Sequence, residues 1–193
     1  MTYGPNEHQR RSIRLPGYDY GQAGAYFVTV CAQNQQCVFG NVEAGMMHLN
    51  VLGEIVQETW RGLPGHYPYV ELDAFLVMPN HVHMIVVLVD SVGAGLKPAP
   101  TTFPLTDACA IAQRHRLPEI IRAFKTFSSR RINEHRATPG VSLWQRNYFE
   151  HIIRNDVALD RIRQYILDNP VRWAYDCYNP QASHPDADDP WRE

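Results

Sequence analysis

The stretch "YVELDAFLVMPNHVHMIVVLV", residues 69–89, constrains the fold more than any other part of the chain. Two runs rich in Val, Leu, Ile and aromatic residues are separated only by Pro79-Asn80. Pro and Asn reverse a chain, and apolar runs of this length and composition form strands. The pattern predicts a strand over 69–78, a tight turn, and an antiparallel partner over 81–89. Two strands alone do not hold together in water, so others must extend the sheet and helices must cover it. On the second strand, His81 and His83 are two residues apart, which sends both to one face and Val82 to the other.

The rest of the chain supplies those partners. "AYFVTVCAQN" (25–34) has strand composition, and "CVFG" (37–40) and "MMHLN" (46–50) flank a turn as a short hairpin. Asn50 caps a helix over about 51–63, with Val51, Ile55, Val56, Trp60 and Leu63 on its inner side. Pro118 opens a helix over about 118–135, with Ile120, Ile121, Phe124 and Phe127 inward. Residues 141–155 carry mixed signals and include a strand. Asp156 caps a last helix, about 157–168, which Pro170 stops. The order is strand, hairpin, helix, strand, strand, helix, strand, helix. It predicts an α+β fold, one antiparallel sheet with helices packed on it. A single domain is expected over 1–176, with a flexible Gly/Pro/Thr-rich insert at about 90–116 and an acidic, flexible tail at 177–193.

The 193 residues, 45% hydrophobic, suit one core. There is no apolar run of membrane-spanning length and no secretory h-region, and the four cysteines are scattered without a CxxC pair. A cytoplasmic setting with free thiols is expected, without a membrane partner. Net charge is −2, but Arg114 to Arg136 hold seven Lys or Arg against two Glu, while the chain after Tyr175 holds five acidic residues against one Arg. A basic segment beside an acidic tail fits a nucleic-acid partner; it also fits a solvated helix face.

Two imidazoles on one strand face make half of a rigid metal site, or else two hydrogen-bonding groups at a sheet edge. The last helix offers more. Leu159, Ile162 and Ile166 form its inward stripe, and Tyr165 and Asn169 lie one turn apart along it. A phenol and a carboxamide on a buried face need partners. Each also has an ordinary reading, as a core aromatic and as a helix cap.

In combination these pieces resemble a known family, the HUH single-tyrosine transposases of insertion sequences, including the REP-associated tyrosine transposases. The matching segments are "RRSIRLPGYDYGQAGAYFVTVCAQN", "FLVMPNHVHMIVVL", "FKTFSSRRIN" and "LWQRNYFEHIIRNDVALDRIRQYILDNPVRWAYD". They follow the family's order. The resemblance implies a ferredoxin-like (RRM-like) sheet of the HUH nuclease type. It implies that His81 and His83 bind Mg²⁺ or Mn²⁺, that Asn169 is the third ligand and that Tyr165 is the nucleophile. Single-stranded or hairpin DNA, palindromic or from an insertion-sequence end, would be the substrate, and the working form would be a monomer or a homodimer.

The chemistry is coherent in itself. A hard divalent ion withdraws charge from a phosphodiester, and a phenol can then store the bond as a 5′-phosphotyrosine. No nucleotide cofactor is needed, and there is no GxxxxGK[ST]. The phenol's ordinary pKa, about 10, means that something must activate it. His151 and Arg154 are neighbours only if their segment pairs beside the histidine strand. Arg122, Lys125, Arg130, Arg131, Arg146 and Arg154 are candidate phosphate contacts, with Ser128 and Ser129 as hydrogen-bonding groups. Trp144 and Tyr148 lie among them and suit either base stacking or core packing. Two alternatives stand beside this reading: a non-cleaving binder of structured DNA or RNA with the same fold, and a zinc hydrolase, which would need further acidic or histidine ligands converging on His81 and His83.

Within the insert, "VGAGLKPAPT" (92–101) has an unusual property. The codons GTA GGG GCG GGT TTG AAA CCC GCC CCT AC, completed by any base, encode it and form an inverted repeat about one central G. A palindromic DNA repeat that entered the gene at a tolerant loop would leave this peptide. The gene's own codons are therefore expected to pair across that centre, and sequencing that shows unpaired codons ends the idea.

Overall fold

The computed structural model describes Leu15, residues 17–90 and residues 115–182. Its main sheet has four antiparallel strands. These are β1 (Gly24–Cys31), β4 (Val70–Val77), β5 (His81–Leu88) and β6 (Phe149–Ile153), in the order β4-β5-β1-β6. A separate hairpin joins β2 (Gly40–Glu43) to β3 (Met46–Leu49). The helices are α1 (Val51–Arg61), the single turn α2 (Leu63–His66), α3 (Leu117–Arg136) and α4 (Asp156–Arg172). This is the α+β, ferredoxin-like arrangement expected of an HUH nuclease domain.

Alternation along β1 and β5 divides the core in two. Tyr26, Val28 and Val30 of β1, with Val82, Met84, Val86 and Leu88 of β5, face the large cluster that α1 and α3 complete through Val56, Trp60, Ile120, Ile121 and Phe124. Phe27 and Ile85 face the other way, toward Ile153 of β6 and Ile162 and Ile166 of α4. His81 and His83 share this second face with Thr29 and Cys31, their cross-strand partners.

Several expectations shift. Helix α4 runs through Pro170 to Arg172 instead of ending at 168. A proline this close to a helix end removes only one backbone bond, and Pro170 is itself buried. Phe127 is 38% exposed, not inward, because the buried stripe of α3 runs Leu117, Ile120, Ile121, Phe124, Ser128, Ile132. Val51 is exposed as the first residue of α1, and Leu52 is buried in its place. The strand within 141–155 is β6, and it pairs with β1, so β1 separates His151 and Arg154 from the histidine strand.

The insert expected at about 90–116 falls almost wholly outside the described residues, as do residues 183–193. The first part of the supposed tail is structured, however. Asn80 Nδ2 donates to Tyr178 O at 2.6 Å, Tyr178 N to Asp176 Oδ1 at 2.7 Å, and Ala182 N to Asn179 O at 3.1 Å. The folded unit therefore passes the boundary expected at 176.

Asn50 starts α1 as the sequence suggests. Its Oδ1 accepts from Leu52 N and Gly53 N, and its Nδ2 donates to Val38 O, so one side chain fixes both the helix and the loop before the hairpin. Gly53 supplies a test of that packing. Gly→Ala within a helix ordinarily stabilises by about 1 kcal/mol. Here the added Cβ would lie 2.3 Å from Phe39 O and 2.9 Å from Leu49 Cδ2. Gly53→Ala is expected to lower the thermal midpoint, and a raised midpoint would show that α1 does not seat on the hairpin as described.

Candidate active site

The site is built where β5, β1, α4 and the chain after α4 meet. The Nε2 atoms of His81 and His83 lie 3.0 Å apart, and neither residue has exposed surface. Their outer nitrogens are anchored separately. His81 Nδ1 lies 2.8 Å from Asn80 Oδ1, and His83 Nδ1 lies 2.8 Å from Thr29 Oγ1. Asn80 Nδ2 is committed as a donor to Gln35 O and Tyr178 O, which fixes the amide's orientation. The amide oxygen only accepts, so His81 Nδ1 carries the proton and its Nε2 keeps a lone pair, which faces His83 Nε2.

Burial lowers the pKa of both imidazoles, that of His83 to about 3 and that of His81 well below its ordinary value, with the neighbouring imidazole adding to the shift at His81. Both are neutral at neutral pH. Asp176 completes a group of three, its carboxylate 3.8 Å from His81 Nε2, and all three ligand atoms lie within 4.8 Å of one another. Burial raises the Asp176 pKa, opposed by hydrogen bonds from Tyr178 N and the Asn169 side chain. Two oxygens here, Asp176 Oδ2 and Asn169 Oδ1, are buried without a hydrogen-bond partner. Two imidazole nitrogens that bond each other, beside two unsatisfied oxygens, form a donor set that a divalent cation would satisfy in place of the proton they share.

Tyr165 meets this group from α4. Its ring centroid is 5.3 Å from that of His83 and 6.1 Å from that of Phe27, edge to face in both cases. Phe27 in turn stacks on His83 at 5.4 Å. Tyr178 also packs on the histidines, 4.7 Å from His81 and 6.3 Å from His83, and burial pushes its phenol well above the usual range. The structure thus brings together His81, His83, Asn169 and Tyr165, all singled out in the sequence. It adds Asp176, Tyr178, Asn80 and Thr29, which the sequence reading missed. A signal for Asp176 existed, since it is the one acidic residue of the "YD" that ends the last matching segment. Only the turn of chain after α4 carries it back to the sheet.

The expected DNA contacts divide differently. Ser128 is fully buried, donating to Phe124 O at 2.7 Å and accepting from Trp144 Nε1 at 2.9 Å. It cannot meet a phosphate; it sits on the inward stripe because the buried indole N–H needs an acceptor. Trp144 is accordingly core, packed against Phe39 and Phe124. Arg130 pairs with Glu134 and Arg131 with Glu58. Lys125 Nζ donates to the carbonyls of Gln145 and Arg146, at 2.6 and 2.9 Å. Arg122, Arg146 and Arg154 are exposed, and the first two line one groove with Lys125 and Tyr148.

Residues 109–169 match the family model for IS200-like transposases, a span that holds α3, β6 and most of α4, including Tyr165. A Haemophilus influenzae protein of uncharacterized function is 37% identical over 177 residues, covering 90% of this chain and 95% of that protein. The chain belongs to the HUH single-tyrosine transposase family. A second H. influenzae protein, provisionally named a REP-associated tyrosine transposase, is 25% identical over 158 residues, 81% of this chain and 76% of its own. Among solved structures, a REP-associated tyrosine transposase bound to a REP hairpin superposes with a TM-score of 0.54 at 21% identity, covering 83% of this chain and 73% of that one. That likeness shows the shared fold. The histidine strand lies outside the matched family span, so in this transposase the association of tyrosine with histidines is an observation of tertiary geometry.

The buried, neutral histidines make stability depend on pH. In the unfolded chain both take up protons below about pH 6.5, whereas in the folded transposase they do so only far lower. Their contribution is intact above pH 6.5 and is lost as pH falls below it, by up to about 1.4 kcal/mol per pH unit for each histidine. The urea midpoint is expected to fall between pH 7 and pH 5, and Mn²⁺ at pH 7 is expected to raise it in the wild type but not in His83→Ala. A midpoint indifferent to both pH and metal would refute the buried neutral pair.

Proposed function

We propose that this transposase nicks and rejoins single-stranded DNA, with palindromic or insertion-sequence-end hairpins as substrate, through a 5′-phosphotyrosine on Tyr165. The observation that carries the reading is the 5.3 Å approach of the Tyr165 ring to His83, within a group of buried, unsatisfied metal-ligand atoms. In this reading His81, His83 and Asp176 hold Mg²⁺ or Mn²⁺. Asn169 steers the carboxylate and offers its own amide oxygen as a further donor. When bound, the ion withdraws charge from a non-bridging phosphate oxygen. Two imidazoles in the set favour Mn²⁺ over Mg²⁺, and the set alone would also suit Zn²⁺. Family membership, not donor chemistry, is the argument for a nuclease over a zinc hydrolase.

Each side chain then has a task. Tyr165 oxygen forms the bond to phosphorus, and the bond to the 3′-oxygen breaks; the phenol loses its proton, and the departing oxygen gains one as a 3′-hydroxyl. Attack by the 3′-hydroxyl of another strand reverses the step and joins the DNA. Phe27 braces both the tyrosine and His83, and Asn80 and Thr29 keep the imidazole nitrogens aimed inward. Because one chain supplies both tyrosine and histidines, no second copy is needed to assemble the site. Arg122, Lys125 and Arg146, beside Glu119, offer a groove of net positive charge for the DNA backbone, with Tyr148 as a stacking surface.

A second reading, a hairpin-binding protein that does not cut, draws on one observation: the histidines are wholly buried, with Tyr178 over them. Incubation of labelled single-stranded hairpin DNA with Mn²⁺ separates the two. A covalent protein–DNA adduct, lost in Tyr165→Phe and reduced at least about 100-fold in His83→Ala, is the expected outcome. Retention of the hairpin without adduct under any divalent ion would establish the second reading.

A further inference from the structure

Helix α4 rests on the smaller of the two cores. Its Ile162 and Ile166 meet buried Phe27, Ile85 and Ile153, bordered by partly buried Ala25, Ala74, Leu76, Val87 and Phe149, while the opposite face of the sheet carries the main core. This contact is smaller than the main core, and apolar packing is non-directional, yet the helix must fix a phenol against an imidazole. A polar contact at its flank supplies what the core lacks. Arg163 Nε donates to Asp73 Oδ1 at 2.9 Å and Nη2 to Asp73 Oδ2 at 2.5 Å, a two-pronged bond from α4 to β4. Nη1 of the same guanidinium donates to Asp160 Oδ1 at 2.9 Å, one turn back, which holds the fork in line. The Asp73 carboxyl is held below the usual carboxylate range, chiefly by the hydrogen bonds from Arg163.

Asp73 faces α4 by the alternation that sends Val70 and Leu72 to the main core, and the strand becomes irregular just after it. The pairing of β4 with β5 shifts register between Leu72 and Phe75. Before the shift, Val70 and Leu72 face the main core; after it, Phe75 and Val77 do, whereas strict alternation would have carried Ala74 and Leu76 there. Ala74 and Leu76 instead join the cluster on the α4 side. A bulge is a means of re-aiming side chains beside a site. Here it keeps both halves of an edge strand in the main core and places Ala74 on the α4 side beside Asp73. Arg163 is two residues before Tyr165, so the fork fixes the same turn of helix that carries the phenol.

We infer that Asp73 and Arg163 are positioning residues for the tyrosine: the fork across the β4 bulge latches α4 and holds Tyr165 against His83. As a claim about chemistry this rests on the function proposed above; as a claim about the helix it does not. The variants are Arg163→Gln, Asp73→Asn, Arg163→Lys, which keeps the charge but not the fork, and the exchanged pair Asp73→Arg with Arg163→Asp.

Two measurements apply to each. In amide hydrogen exchange on the full chain, the single variants are expected to exchange about tenfold faster across α4, with β1 and β5 unchanged. In single-turnover adduct formation with a labelled hairpin and Mn²⁺, the rate at saturating DNA is expected to fall about tenfold or more with hairpin affinity unchanged. Arg163→Lys should resemble Arg163→Gln, and the exchanged pair should recover part of both losses. Wild-type exchange across α4 in the single variants overturns the inference, as does a rate loss matched by an equal loss of affinity. If the wild type forms no adduct, the proposed function fails, and hydrogen exchange alone then decides the latch.

Discussion

The structure turns on one cross-strand register. Pairing of β1 with β5 sets Thr29 opposite His83 and Cys31 opposite His81, so both imidazoles lie on the same face as the hydroxyl that anchors one of them. A charged imidazole buried this fully would be costly, and the site avoids the cost by keeping both rings neutral. Neutral rings with outer nitrogens held by Asn80 and Thr29 present their inner nitrogens to each other at 3.0 Å. Such a pair is ready for a cation without rearrangement of its supports, which is how second-layer hydrogen bonds tune a metal site. A slip of one residue in this register would send the histidines into the main core and Val82 and Met84 to the site.

The main apolar core and the buried polar cluster lie on opposite faces of the sheet. The face under α1 and α3 carries the large aromatic and aliphatic cluster, including the stacked Trp60 and Phe75 and the Trp144 indole bonded to Ser128. The α4 face carries few apolar residues and most of the buried polar atoms that matter: both histidines, Asn169 and Asp176. A reacting site needs unsatisfied lone pairs, and a stable core excludes them. Separating the two across one sheet lets each be met. The chain after α4 closes the chemical face, with Asn80 joining Gln35, His81 and Tyr178 through a single amide.

Local patterns made much of this legible. Alternating apolar runs showed which strands exist, Pro79-Asn80 showed that β4 and β5 are neighbours, and Asn50 marked the start of α1. The two-residue spacing of His81 and His83 and the four-residue spacing of Tyr165 and Asn169 each located a shared face. Readings that failed depended on competition between distant groups. Ser128 read as a surface hydroxyl beside arginines, but the indole of Trp144 claims it. Phe127 read as core from its helix period, but Ser128 holds the adjacent inward position. Residues 177–182 read as the start of a solvated tail because their composition is polar, and nothing local reveals that Asn80 would bind the carbonyl of Tyr178.

By itself, then, the sequence determined the elements, their antiparallel pairing, the face that carries the histidines and the turn that carries the tyrosine, because these follow from periods of two and 3.6 residues that every chain obeys. Tertiary structure alone decided that Tyr165 meets His83 across some eighty residues of chain, that Asp176 returns to complete the polar group, and that Arg163 of α4 reaches Asp73 of β4. Those are outcomes of packing, in which partners are chosen by shape and by unsatisfied hydrogen-bonding atoms that no sequence interval records.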